Sequence, residues 1–75
     1  MTKSERESKV VISRALRICM EEHGLDDEQV GAAVGVSART VKGWRRALLA
    51  PLLPRCEQLA ELFGISVWDF YDKGK

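Results

Sequence analysis

The segment DDEQVGAAVGVSARTVKGWRR, running from Asp26 to Arg46, decides the fold of this chain. Asp26 stands where a helix begins, and Gln29, three residues on, can reach back to complete a capping box. Val30, Ala33 and Val34 recur at the spacing of one helical face, Gly35 permits a sharp turn, and Val36 anchors that turn inward. Ser37 then caps a second helix, which runs from Ser37 to Ala47. In it Val41 and Trp44 share one side, whereas Arg39, Lys42, Arg46 and the small residues Ala38 and Gly43 crowd the others. Such a helix has one side to bury and another to offer to an anion.

Outward from this core segment, helices follow on both sides. Ile12, Ala15, Leu16, Cys19 and Met20 lie at helical spacing and predict a first helix that ends near His23, with Gly24 as its stop. Its beginning is open: residues 1–7 read as a polar, flexible segment, although Ser4 with Glu7 can form a capping box. Downstream, Leu48 to Leu53 is an apolar linker broken by Pro51, and Pro54 suits the first turn of a fourth helix, where a missing N–H is harmless. Cys56, Leu59, Ala60, Leu62 and Phe63 form that helix's buried stripe and Gly64 ends it. Ser66 and Asp69 cap a short last helix, Val67 to Tyr71, before a polar tail over 72–75. Nothing reads as a strand, so the expectation is an all-α, compact five-helix domain over residues 8–71, with the central pair of helices packed on the first and fourth.

Composition narrows the function classes. A chain of 75 residues holds one small domain and buries too little surface to combine a core with a deep enzymatic cleft. With 45% hydrophobic and 31% charged residues it is an ordinary globular sequence. No apolar run nears the roughly 20 residues that cross a bilayer, and the start Thr2-Lys3-Ser4-Glu5 lacks the apolar stretch of a secretion signal, which points to the cytoplasm. The net charge of +1 conceals a separation of signs. Glu21, Glu22, Asp26, Asp27 and Glu28 form an acidic block, whereas from Ser37 to Arg55 every ionised side chain is cationic: Arg39, Lys42, Arg45, Arg46 and Arg55. A local basic face matters more to a polyanion than the net charge does.

Chemistry of other kinds finds little material. Cys19 and Cys56 fall at apolar helical positions without metal-ligand spacing, so they read as small core hydrophobes, and no metal or other cofactor is expected. His23, beside Gly24, suits a helix C-terminus. No nucleophile motif or phosphate-binding glycine loop accompanies it, so neither an enzyme nor a small-molecule substrate is expected. The basic helix has no broad apolar face, which argues against membrane binding. Trp44, Phe63 and Phe70 fit core positions, while Trp68 and Tyr71 lie on the short terminal helix, where two protomers can pair.

At this level of detail the chain resembles the Cro and lambda-repressor type of helix-turn-helix domain, the XRE family. The residues that carry the resemblance are Leu16-Arg17, Gly24-Leu25, Val34-Gly35-Val36-Ser37, Val41, Trp44, Pro51, Leu59-Ala60 and Phe63-Gly64-Ile65-Ser66, ungapped from about Leu16 to Phe70. The resemblance implies a five-helix DNA-binding domain, commonly a transcriptional repressor or activator of phage, plasmid or bacterial origin that acts as a homodimer on double-stranded DNA. Position by position it places Ala38, Arg39, Lys42 and Gly43 against base edges and Ser37 and Arg46 against phosphates. Arg39 is the first choice for reading guanine through O6 and N7; Lys42 reads guanine or holds a phosphate, Thr40 touches either, and Ala38 packs on a thymine methyl.

Two departures from the family pattern stand out. Where the family places a phosphate-holding Gln, this chain has Asp27, between Asp26 and Glu28. Carboxylates there suit the helix dipole and cap the helix, but repel DNA. Either docking shifts to lean on Arg45, Arg46 and the N-terminal Lys and Arg residues, or affinity is modest and depends on dimerisation. Where many members bury an Arg–Glu pair, this chain has Met20 and Arg45, which leaves Arg45 free to approach the DNA backbone. The competing expectation is a protein-interaction module, an antirepressor or adaptor on the same scaffold, suggested by the acidic cluster and by Leu48, Leu49, Leu52, Trp68 and Tyr71.

Overall fold

The computed structural model describes the backbone of residues 3–75 and the side chains of residues 7–75. Five helices follow in order: α1 (Lys3–His23), α2 (Asp27–Val34), α3 (Ala38–Arg45), α4 (Leu53–Leu62) and α5 (Val67–Lys73), with no strand among the described residues. As expected, α3 packs on α1 and α2 packs on α4; α2 and α3 also pack on each other, and α5 closes the bundle against α1 and α4. The largest fully buried side chains, Phe70, Leu16, Leu59, Val30 and Val41, meet at the centre, one or more from each helix. Close-packed apolar side chains of this kind supply the main stabilisation of so small a body.

The local signals at the centre act as their residue types dictate. Asp26 accepts from Gln29 N at 2.8 Å while Gln29 Oε1 accepts from Asp26 N at 2.9 Å, completing the capping box. Gly35 adopts φ +80°, a left-handed conformation costly to any residue with a Cβ, and turns the chain from α2 into α3. Ala33, expected on the inner face of α2, is exposed, and Gly31 takes the inward place between Val30 and Val34. A Cβ at Gly31 would fall 2.6 Å from the carbonyl oxygen of Val36, so a bare backbone there lets the start of α3 close onto α2. Arg55 braces the same corner from α4, donating to the carbonyl of Val34 at 2.6 Å.

Boundaries at both ends differ from the sequence reading. The flexible segment expected over 1–7 lies partly outside the described residues, and from Lys3 the backbone is already helical. Lys, Ser, Glu and Arg dominate that stretch, and the long members lose little rotamer freedom in a helix. Ser4 is a helical residue; its expected capping contact with Glu7 lies outside the described side chains. The polar tail over 72–75 is folded instead: α5 runs to Lys73, and Gly74 is buried on α1 with its carbonyl accepting from Arg14 Nη1 at 3.1 Å. Lys73 bridges to Glu22 at 2.8 Å. A side chain at Gly74 would collide with the carbonyl of Val11, so a glycine is what allows this turn to dock.

Cys19 and Cys56 are free and buried, the small core hydrophobes that periodicity indicated, and burial pushes both thiols up. His23 at the end of α1 also lies against Phe63, with ring centroids 5.2 Å apart, and Phe63 stacks in turn on Phe70. Trp44 is a core residue, 3% exposed. None of the described helices is long and apolar enough to cross a membrane, and no described group of His, Cys, Asp or Glu gathers where it could hold a metal ion.

Candidate nucleic-acid interface

The basic face is built on α3. Ser37 caps it, its Oγ accepting from Thr40 N at 3.2 Å and lying 3.0 Å from Thr40 Oγ1, so the two hydroxyls expected at DNA already hold each other in place. Val41 and Trp44 turn into the core, and the 3.6-residue period therefore carries Arg39, Lys42 and Arg46 outward. All three are exposed, and no ion pair or side-chain hydrogen bond ties them to a described residue. They line one shallow recess with Thr40, Gly43, Leu48 and Leu49. Ala38, half-buried at the first position of the helix, stands beside Arg39.

Gly43 and Arg45, also assigned to this face, differ from the three free cations. Gly43 is buried: Leu49 lies over it, so close that a Cβ would fall 2.5 Å from Leu49 Cδ2. Gly43 nevertheless lines the same recess as Arg39, Lys42 and Arg46. Arg45, expected free for the DNA backbone, is held by Asp27. Its Nε and Nη2 donate to the two carboxylate oxygens at 2.7 and 2.8 Å, a bidentate fork across the helix pair. These hydrogen bonds hold the Asp27 carboxyl below the usual range and raise the Arg45 guanidinium above its own. The buried hydroxyl of Ser13 donates to the Arg45 carbonyl, fixing the end of α3 on α1.

The repulsive carboxylate and the freed cation foreseen in the sequence are thus each other's partners. The signal was present, since Asp27 and Arg45 both depart from the pattern with opposite charges. It was missed because Arg45 was matched with Met20 on α1, and Met20 is a buried apolar core residue. Arg55 likewise leaves the basic block, because its guanidinium caps α2 and contacts Gln58 at 2.9 Å. Of the basic block from Ser37 to Arg55, Arg39, Lys42 and Arg46 remain as free cations among the described residues, and the N-terminal Lys3 and Arg6 lie outside the described side chains.

A family profile described as helix-turn-helix matches residues 16–67, more than half of the chain. The chain belongs to the helix-turn-helix family. No curated relative and no solved structure matches it. Membership makes this helix-turn-helix protein a DNA-binding regulator in general terms, of a family that is not typically enzymatic. The matched span starts in the middle of α1 and stops at the first residue of α5, so the terminal helix with Trp68 and Tyr71 lies beyond it. Trp68 is 78% exposed, and Tyr71 is half-buried with Lys75 Nζ 5.4 Å above its ring. Trp68 and Tyr71 line an apolar groove with Ile12, Pro51 and Leu53.

Proposed function

We propose that this chain is a sequence-specific regulator of transcription, a repressor or activator of phage or plasmid type, that lays the segment 37–47 in the major groove of double-stranded DNA. The observation that carries the reading is the exposed set Arg39, Lys42 and Arg46 on a helix whose opposite side, Val41 and Trp44, is fixed in the core. Arg39, at the second helical position, reads guanine by two hydrogen bonds; Lys42 and Thr40 contact a base or phosphate, and Ala38 packs on a thymine methyl. Ser37 and Arg46 hold phosphates. Two protomers pair through Trp68 and Tyr71, whose apolar groove the exposed Leu53 also lines, and act in the cytoplasm.

Selection from a random duplex pool, followed by salt titration of the best sequence, tests this reading. Enrichment of a two-fold symmetric site and a steep loss of affinity with salt are expected. No enrichment, or binding indifferent to salt, overturns it. The exposed Leu48, Leu52, Leu53 and Trp68 also favour a second reading, a protein-interaction module. A protein that stays monomeric by light scattering and ignores duplex DNA at low salt supports that reading.

A further inference from the structure

We propose that the Asp27–Arg45 bridge limits affinity at the edge of the duplex-binding face: Asp27 withholds Arg45 from phosphates and so leaves Arg39, Lys42 and Arg46 as the cations of α3 and its cap that contact DNA. The inference rests on the duplex-binding reading and adds to it a residue that sets binding strength without touching DNA. Three observations support it. The fork uses both carboxylate oxygens of Asp27 and two guanidinium nitrogens of Arg45, at 2.7 and 2.8 Å. The Arg45 backbone is pinned by Ser13, so the side chain cannot move away with its helix end. Arg45 lies one helical turn from Lys42 on α3 and directly precedes Arg46, which sets the bridge beside the basic face.

A duplex seated on Arg39, Lys42 and Arg46 brings phosphates within a screening length, about 8–10 Å, of this pair. A neutral pair there neither releases counter-ions nor repels the backbone strongly. Arg45 alone would do the first, and Asp27 alone the second. The bridge thereby removes a contact blind to sequence, and a larger share of the binding energy is left to base reading.

Four proteins test this: the parent chain, Asp27→Asn, Arg45→Gln and the double variant, each titrated with salt on a random-sequence duplex and on the selected site. Each engaged phosphate adds about 0.9 to the salt slope. Asp27→Asn should tighten binding to both duplexes and steepen the slope by about that amount, equal to an additional loss of roughly three-fold between 50 and 200 mM salt. Arg45→Gln should weaken both, and the double variant should return to the parental slope. An unaltered slope in Asp27→Asn overturns the inference alone. So does a double variant shallower than the parent by about 0.9, since Arg45 would then already contact phosphate. If none of the four proteins binds duplex, the DNA reading falls and the inference with it. Thermal melting of each variant verifies folding, and Asp27→Ala serves in place of Asp27→Asn should that variant not fold.

Discussion

Arg39 and Arg46 are both exposed guanidinium groups of the same basic face, and they should nevertheless behave differently. Arg39 sits at the entry of α3, where the proposed bidentate contact with guanine would discriminate by about 1–3 kcal/mol, whereas Arg46, just past the helix end, has the proposed role of holding a phosphate. Arg39→Ala is expected to flatten the preference for one base position. Arg46→Ala is expected to weaken all duplexes alike and to reduce the salt slope by about 0.9. Equal, uniform loss in both variants would remove the base-reading role of Arg39. Asp27 gives a prediction in pH. Its folded-state carboxyl lies below the unfolded value, so its contribution is present above about pH 4 and lost as pH falls through the lower, folded value. At neutral pH Asp27→Asn should be less stable than the parent by about 1 kcal/mol in urea melts, a difference that closes on acidification. A gap unchanged in strong acid would show that the fork contributes no stability. Arg39 was readable as an outward residue from the inward period of Val41 and Trp44. The Asp27–Arg45 contact was not, because it joins residues 18 apart that no local window relates.

The starts of α2, α3 and α5 are capped by Asp26, Ser37 and Ser66 as their sequence predicts, because a short polar side chain bonding the backbone three residues on is a purely local device. Helix ends were less readable. The recognition helix stops at Arg45 instead of continuing to Ala47, because Ala47 itself takes the left-handed turn, with φ +56°. Alanine is the best helix former and gives no warning of such a stop. It also carries strain that glycine would not, so Ala47→Gly should stabilise the domain by about 0.5 kcal/mol once the added chain entropy is subtracted. A melting temperature raised by a few degrees is the expected result, and a lower one would mean that the methyl group packs usefully. The end of α5 was misplaced for a different reason. Asp72 and Lys73 look like solvated charges, but the turn docks through Arg14 with Gly74 and Glu22 with Lys73, pairs 60 and 51 residues apart.

For the molecule as a whole, the fold class, helix order and core were readable because helical contacts recur at short, regular spacing, whereas the covering of its apolar surface was not. Phe70 is 1% exposed at the centre of the bundle, so α5 is part of the core and not an accessory. A chain ending at Gly64 loses that ring, worth about 3–5 kcal/mol, together with all packing of α5 on α1 and α4 and the ties to Arg14 and Glu22, and should show no cooperative melting. Retained cooperative unfolding would make α5 dispensable. Pairing of protomers is better tested by Trp68→Ser with Leu52→Ser, both far exposed, at 78% and 77%. The melting point should hold while sedimentation shifts toward the monomer, and an unchanged sedimentation profile would move the interface elsewhere. The two tryptophans also sit in opposite surroundings, Trp44 sealed at 3% exposure and Trp68 open at 78%. Intrinsic fluorescence therefore divides into two native reporters: a blue, acrylamide-shielded indole whose red shift follows unfolding, and a red, quenchable one whose protection signals that something has covered the terminal helix.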